Sequence, residues 1–187
     1  MLTMMPMAAC DGSNADPILP EQPGQPGNSD GGDEDDSTDP TNPIPGGNGR
    51  YLVLYCSRTG STERMAQQIQ QTLDCDILEV EPQTPYESDY NGMLNRAQEE
   101  LAAIRQGNYP AIKTSVEDFG NYDIVFVGYP IWYGSMGTPM QTFLHNHASK
   151  LAGKRIALFA SSGSSGISAS VDEARTLCSG ATFTETL

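Results

Sequence analysis

From Arg50 onward, short apolar runs alternate with stretches in which apolar residues recur every three or four positions. "RYLVLYC" is a continuous apolar run, the pattern of a strand buried on both faces. Between Thr62 and Leu73, the spacing of Met65, Ile69 and Leu73 predicts one buried helix face. "CDILEVEP" predicts a second strand closed by Pro82. After the irregular "QTPYESDYNG", a second helix follows with Leu94, Ala97, Leu101 and Ile104 on one stripe. "YDIVFVGYP" predicts the strongest strand of the chain, stopped by Gly-Tyr-Pro. A helix from about Pro139 then places Met140, Phe143, Leu144, His147 and Leu151 on one face. "KRIALFAS" predicts a fourth strand, followed by the loop "SGSSG" and a helix carrying Ile167, Val171, Ala174 and Cys178. "ATFTETL" predicts a fifth strand.

Strands alternating with helices imply right-handed parallel crossovers and a sheet covered on both faces. Residues 50–187 therefore read as an α/β doubly wound domain. Ligands of such sheets bind beyond the carboxyl ends of the strands, where the strand order reverses. The loops to weigh are those after the first, third and fourth strands.

Composition separates the rest of the chain. Residues 1–49 hold nine Asp or Glu and no Lys or Arg, whereas residues 50–187 hold fifteen acidic and ten basic residues. The net charge of −14 thus divides into −9 and −5. A phosphate-backbone binder needs clustered Lys and Arg, so the charge argues against nucleic acid as a partner. Residues 11–49 are rich in Gly, Pro, Asp and Asn, with only three large aliphatic residues. Such a segment buries too little apolar surface to offset its ordering entropy. It is expected to be a disordered acidic linker, with an acidic docking arm as the alternative. Ahead of it, residues 1–10 end in Met7-Ala8-Ala9-Cys10, which resembles a bacterial lipobox, whose cysteine is lipidated. The resemblance is partial, because the nine residues before Cys10 lack a basic n-region. It implies a lipid anchor in a bacterial cell envelope, with the acidic linker as tether; a chance match would leave the protein cytoplasmic. Cys56, Cys75 and Cys178 form no CxxC pair and no zinc spacing with histidine, so they are expected to be reduced, buried small residues.

The first loop, "SRTGST" at 57–62, leaves a buried strand and enters a helix whose first amides have no intrahelical partner. Ser57, Thr59, Ser61 and Thr62 add hydroxyls, and Gly60 lets the backbone approach a ligand, which together suit an anion. A Walker loop is excluded because no lysine lies between Arg50 and Lys113. A phosphatase loop would place an arginine six residues after the cysteine, and position 62 is threonine. A plain turn capped by Thr62 stays open. The second loop, "YPIWYGSMGTP", holds Trp132 and Tyr133, which suit either a partly buried anchor or a ligand-stacking wall. The third, "SSGSSG" at 161–166, suits either a flexible linker or a close-approach loop. His147 shares an apolar helix stripe and is expected to be a packed core residue; neither it nor His145 has a catalytic partner in view.

"VLYCSRTGSTERMAQQI" resembles the flavodoxin signature throughout: an aliphatic pair, an aromatic, then Ser57, Gly60, Thr62, Ala66 and Ile69 at the family's spacings. The resemblance implies a flavodoxin-like doubly wound sheet of five parallel strands in the order 2-1-3-4-5, covering residues 50–187. It implies FMN as cofactor, with Ser57, Arg58, Thr59, Gly60, Ser61 and Thr62 around the phosphate, Arg58 through its amide more than its charge. Trp132 would stack on the isoalloxazine, with Pro130, Ile131, Tyr133 and Gly134 at the ring edge and a peptide near Gly134 able to reorient. Ser161, Ser162, Gly163, Ser164 and Gly166 would offer backbone to the ring. Many flavodoxins carry a second aromatic in that third loop; none stands between Ser161 and Ser170. One ring face is thus expected to be open to a hydride donor or small substrate, or covered from elsewhere by Tyr86 or Tyr90. The family fold ends in a helix after the fifth strand, packed beside the first helix. The sequence stops at Leu187, where that helix would begin, so it is expected to be absent and an apolar sheet face to lie open.

The function so implied is electron transfer with a redox partner protein or a small-molecule donor or acceptor, under a negative field that disfavours an anionic reduced flavin. The alternatives are an NAD(P)H- or quinone-dependent FMN oxidoreductase on the same site, and a non-enzymatic envelope binding module.

Overall fold

The computed structural model describes residues 50–184. The lipobox with Cys10 and the acidic linker lie outside the described residues.

Five parallel strands form the sheet: β1 (Tyr51–Tyr55), β2 (Asp76–Glu79), β3 (Ile124–Trp132), β5 (Arg155–Ser161) and β6 (Thr182–Phe183). Their spatial order is β2-β1-β3-β5-β6, the doubly wound arrangement expected of the sequence. Between β3 and the next helix lies a two-residue strand, β4 (Ser135–Met136), antiparallel to β3 and not foreseen from the sequence. The helices are α1 (Ser61–Leu73), α2 (Tyr90–Ile104), α3 (Thr138–His147) and α4 (Ser168–Leu177). Among the described residues no helix follows β6.

The pleat sorts the strand residues by face. Leu52, Leu54, Val125, Val127, Tyr129, Ile156 and Leu158 join Met140, Phe143, Leu144 and Val171 in the larger core, under α3 and α4. The alternate residues Val53 and Tyr55 face α1, where they pack with Ala66, Phe126 and Phe159. Burying side chains of this size contributes about 1.5–3 kcal/mol each, so β1, buried on both faces, and β3, buried on its α3 side, hold the domain together.

Two helix faces depart from the expected stripes. On α1 the buried residues are Thr62 and Ala66, with Ile69 and Leu73 packed beside them, while Met65 is exposed. The small Ala66 lets the helix lie close on the sheet, and that rotation turns Met65 outward. On α2 the buried stripe is Met93, Ala97 and Leu101 rather than one through Leu94. Gly-Tyr-Pro does not stop β3, which runs on to Trp132. Pro130 is tolerated because its carbonyl still accepts the Gly137 amide at 2.9 Å, and β4 continues the pairing beyond it.

His147 behaves as a core residue. Its Nε2 accepts the Val116 amide at 3.2 Å, its Nδ1 lies 2.9 Å from the Phe143 carbonyl, and its ring stacks on Phe143. Burial lowers its pKa below the ordinary value. Cys56, Cys75 and Cys178 are free and buried.

On the α1 side of the sheet, an apolar groove of about 430 Å³ runs between α1 and strands β3 and β5, walled by Ile69, Leu73, Ile124, Phe126 and Phe159.

Candidate functional site

The loops following β1, β3 and β5 converge on one cleft of about 540 Å³ at the carboxyl end of the sheet. From the first loop, Ser57, Arg58, Thr59, Ser61 and Thr62 line it. Pro130, Ile131, Trp132 and Tyr133 line it from the second, and Ser161, Ser162 and Gly163 from the third. Gly60, Gly134, Ser164 and Gly166, also singled out in the sequence, sit outside that lining. Tyr90, Met93 and Leu94 of α2 complete the wall. Tyr90 is one of the two aromatics that the sequence offers for this position; no motif announces Met93 and Leu94, because α2 reaches the cleft through the tertiary fold.

The first loop leaves several of its donors uncommitted. Gly60 is the N-cap of α1 at φ 79°, a left-handed conformation that disfavours side chains, and no side chain caps the helix. The first-turn amides therefore have no side-chain cap. Thr62 does not serve as the cap; its hydroxyl lies 2.8 Å from that of Ser161, tying the first loop to the third. Ser57 Oγ is buried with no hydrogen-bond partner in the protein. A buried hydroxyl left unpaired costs about 1–3 kcal/mol, a cost that a ligand oxygen would remove.

Arg58, which also lines the cleft, is anchored at its far end. Its Nη2 donates to the backbone carbonyls of Glu87, Ser88 and Asp89 at 3.2, 3.0 and 3.3 Å. The guanidinium thus grips the segment entering α2.

The second loop is a hairpin. Trp132 pairs with Ser135 across a two-residue turn, Tyr133–Gly134, with φ values of 52° and 78°. Positive φ at both central residues defines a type I′ turn. Behind it, the Glu173 carboxylate accepts the Met136 amide at 2.8 Å and Gln141 donates to the Met136 carbonyl at 2.7 Å. These contacts fix where the two aromatics point. Trp132 is only 9% exposed and packs with Met93, Ala97, Leu94 and Tyr86. Tyr133 is 54% exposed and is the open ring of this loop.

A smaller neighbouring cavity, about 280 Å³, shares Ser57, Arg58 and Trp132 with the cleft and is otherwise bounded by the end of β2, Tyr86 and Pro139. Tyr86 is engaged there: it donates to the Glu100 carboxylate, meets Thr138 Oγ1 at 2.6 Å, lies edge-on to Trp132 and is covered by Arg96. At its edge, burial, followed by the charges of Glu81 and Glu63, raises the Glu79 pKa to about 7. Burial also pushes the Cys56 thiol up to about 12, which removes the thiolate that a nucleophilic cysteine needs. Among the described residues no group of His, Cys, Asp and Glu could hold a metal ion, and no helix is long and apolar enough to cross a membrane.

Comparison with known proteins agrees with this architecture. A family model described as flavodoxin matches residues 50–186. A solved structure from Bacteroides eggerthii DSM 20697, provisionally described as a flavoprotein, is 34% identical with a TM-score of 0.65, over 73% of this chain and 86% of that one. Another from Bacteroides uniformis ATCC 8492, described in the same way, is 28% identical with a TM-score of 0.64, over 76% and 89%. A flavoprotein from Lactobacillus acidophilus NCFM, solved in complex with FMN, is 26% identical with a TM-score of 0.63, over 73% and 91%. No curated protein matches the chain. With its strand order, its uncapped first loop and a family match over the whole described domain, the chain belongs to the flavodoxin family.

Proposed function

We propose that the cleft binds FMN and that the protein transfers electrons through it. One observation carries the reading: the unpartnered, buried Ser57 hydroxyl sits beside the uncapped start of α1, in the same cleft as the exposed Tyr133 ring. A solved relative in complex with FMN supports the choice of ligand. The residues present fit the group. Ser57, Thr59, Ser61, Thr62 and the amides from Gly60 onward would hold the phosphate, each bond to a charged group contributing about 1.5–3 kcal/mol. Pro130 to Gly134 would border the ring, with Tyr133 as the stacking aromatic and Trp132 supporting the loop from below. Ser161, Ser162 and Gly163 would meet the other side, with Ser164 and Gly166 shaping the loop. Bound FMN supplies reversible electron uptake; the protein positions it, excludes water and surrounds it with negative charge.

The test is titration of the full chain with FMN, following loss of flavin fluorescence. Quenched, saturable binding that Tyr133→Ala weakens is expected; no binding by the folded chain rejects the reading.

The absence of an aromatic between Ser161 and Ser170 favours a second reading, an oxidoreductase that admits NAD(P)H or a quinone from that side. Rapid flavin reduction by NAD(P)H without a partner reductase would select it over a carrier that needs a redox partner protein. The lipobox-like Met7–Cys10 and acidic linker support a lipid-anchored, cell-envelope location, which incorporation of labelled fatty acid, abolished by Cys10→Ser, would test.

A further inference from the structure

The geometry points to Tyr90 as an aromatic wall of the cofactor cleft, carried on α2 and latched in place by Arg58 of the first loop, in place of the aromatic that the third loop lacks. This rests on the FMN reading. Three large hydrophobic residues are exposed among those described, Met65, Tyr90 and Tyr133, and two of them line this one cleft. Tyr90 is 64% exposed although it opens a helix whose next turn is anchored by buried Met93 and Ala97. An aromatic ring held in water at the mouth of a cleft, on a rigid element, is poised to gain burial when a flat ligand enters.

Two independent contacts fix that element against the other loops. The Arg58 guanidinium binds the last three carbonyls before α2, those of Glu87, Ser88 and Asp89. The Tyr133 hydroxyl donates to the Leu94 carbonyl at 3.4 Å, one turn further along. The start of α2 is itself well formed, with the Asp89 side chain accepting the Gly92 amide at 2.7 Å. The phosphate loop, the hairpin and α2 are therefore mechanically joined, and the apolar surface of Tyr90, Met93 and Leu94 faces the same space as the phosphate loop. Tyr86, the other candidate, is committed to Glu100 and Thr138 and does not line the cleft.

A wall on α2 has a consequence for Arg58. Its Nη2 is held by backbone carbonyls, so its contribution to FMN binding is made mainly through the position of Tyr90 rather than by attraction to phosphate.

The experiment is FMN titration of the full chain and its variants, reading both affinity and the emission of the bound flavin. Tyr90→Ala is expected to weaken binding about tenfold, within the range of aromatic stacking, and to raise the emission of bound flavin, while Tyr90→Phe keeps both near wild type. Arg58→Gln is expected to weaken binding with an unchanged dependence of affinity on salt. Unaltered affinity and emission in Tyr90→Ala, or equal losses in Tyr90→Phe, would overturn the wall. A reduced salt dependence in Arg58→Gln, the mark of a lost phosphate contact, would overturn the latch. Failure of the wild-type chain to bind FMN overturns both this inference and the FMN reading, whereas wild-type binding with an indifferent Tyr90→Ala overturns this one alone.

Discussion

Ser57 and Gly128 show opposite ways in which one residue can carry a constraint. The Ser57 hydroxyl is buried and unpaired in the protein, so removing it relieves a desolvated group. Ser57→Ala is expected to leave the melting temperature of the ligand-free protein unchanged or slightly higher, yet to weaken FMN binding by about tenfold or more. Calorimetry of the free protein beside the titration separates the two effects. Gly128 stands in β3 with no room for a side chain: a Cβ there would lie 2.1 Å from the Phe159 ring. Gly128→Ala is expected to cost about 1–3 kcal/mol through overpacking. Adding Phe159→Leu should recover part of that loss, which a double-mutant cycle by urea denaturation would measure. The Ser57 position was legible in sequence because the motif marks it. The Gly128 constraint was not, because its cause is a residue on another strand.

Among the elements, α3 and β2 carry titrations of opposite sign. His147 joins α3 to the Val116 segment as a neutral ring, and burial, reinforced by Lys150, holds its pKa below the ordinary 6.5. The unfolded chain then takes up more protons below about pH 6.5, so stability falls as the pH drops from there through the lowered folded value. His147→Gln should flatten thermal stability over that interval. Glu79, at the end of β2, has its pKa raised from 4.5 to about 7. The unfolded chain releases that proton first, so Glu79 costs stability increasingly between those values and fully above them. Glu79→Gln is expected to raise the melting temperature above about pH 7 and leave it unchanged below about 4.5, modestly because the carboxyl is part solvated. The amphipathic periods placed α3 and His147 in the core beforehand. Nothing in the local pattern of "DILE" distinguished a desolvated Glu79 from an exposed one, because burial, the largest cause of its raised pKa, is set by the tertiary packing, and only the charge of Glu81 is local.

At the scale of the molecule, the two faces of the sheet are unequal. Helices α3 and α4 close one face over the larger core, while on the other α1 leaves the groove walled by Phe126, Phe159, Ile124 and Leu73. An apolar surface of this kind takes up hydrophobic dyes. An environment-sensitive dye is expected to bind the folded chain, and Phe126→Lys to abolish the signal without unfolding the protein. FMN should act on the whole domain by mass action: at a hundred times its dissociation constant it is expected to stabilise the fold by about 2.7 kcal/mol. A thermal shift that grows with FMN concentration and falls to about half in Ser57→Ala at the same concentration would tie that gain to the cleft.

The sequence by itself determined the alternation of strands and helices, the three loops that meet at the cleft, and the hydroxyl-rich, glycine-bearing entry to α1 at residues 57–62. These follow from local periodicity, from capping and from hydroxyl spacing, which act over a few residues. Only the tertiary structure decided that Trp132 is packed against α2 while Tyr133 stays open, that the Arg58 guanidinium holds the segment entering α2, and that Tyr90 rather than Tyr86 lines the cleft. Those outcomes depend on which buried neighbour competes for each side chain, and such neighbours stand dozens of residues away along the chain.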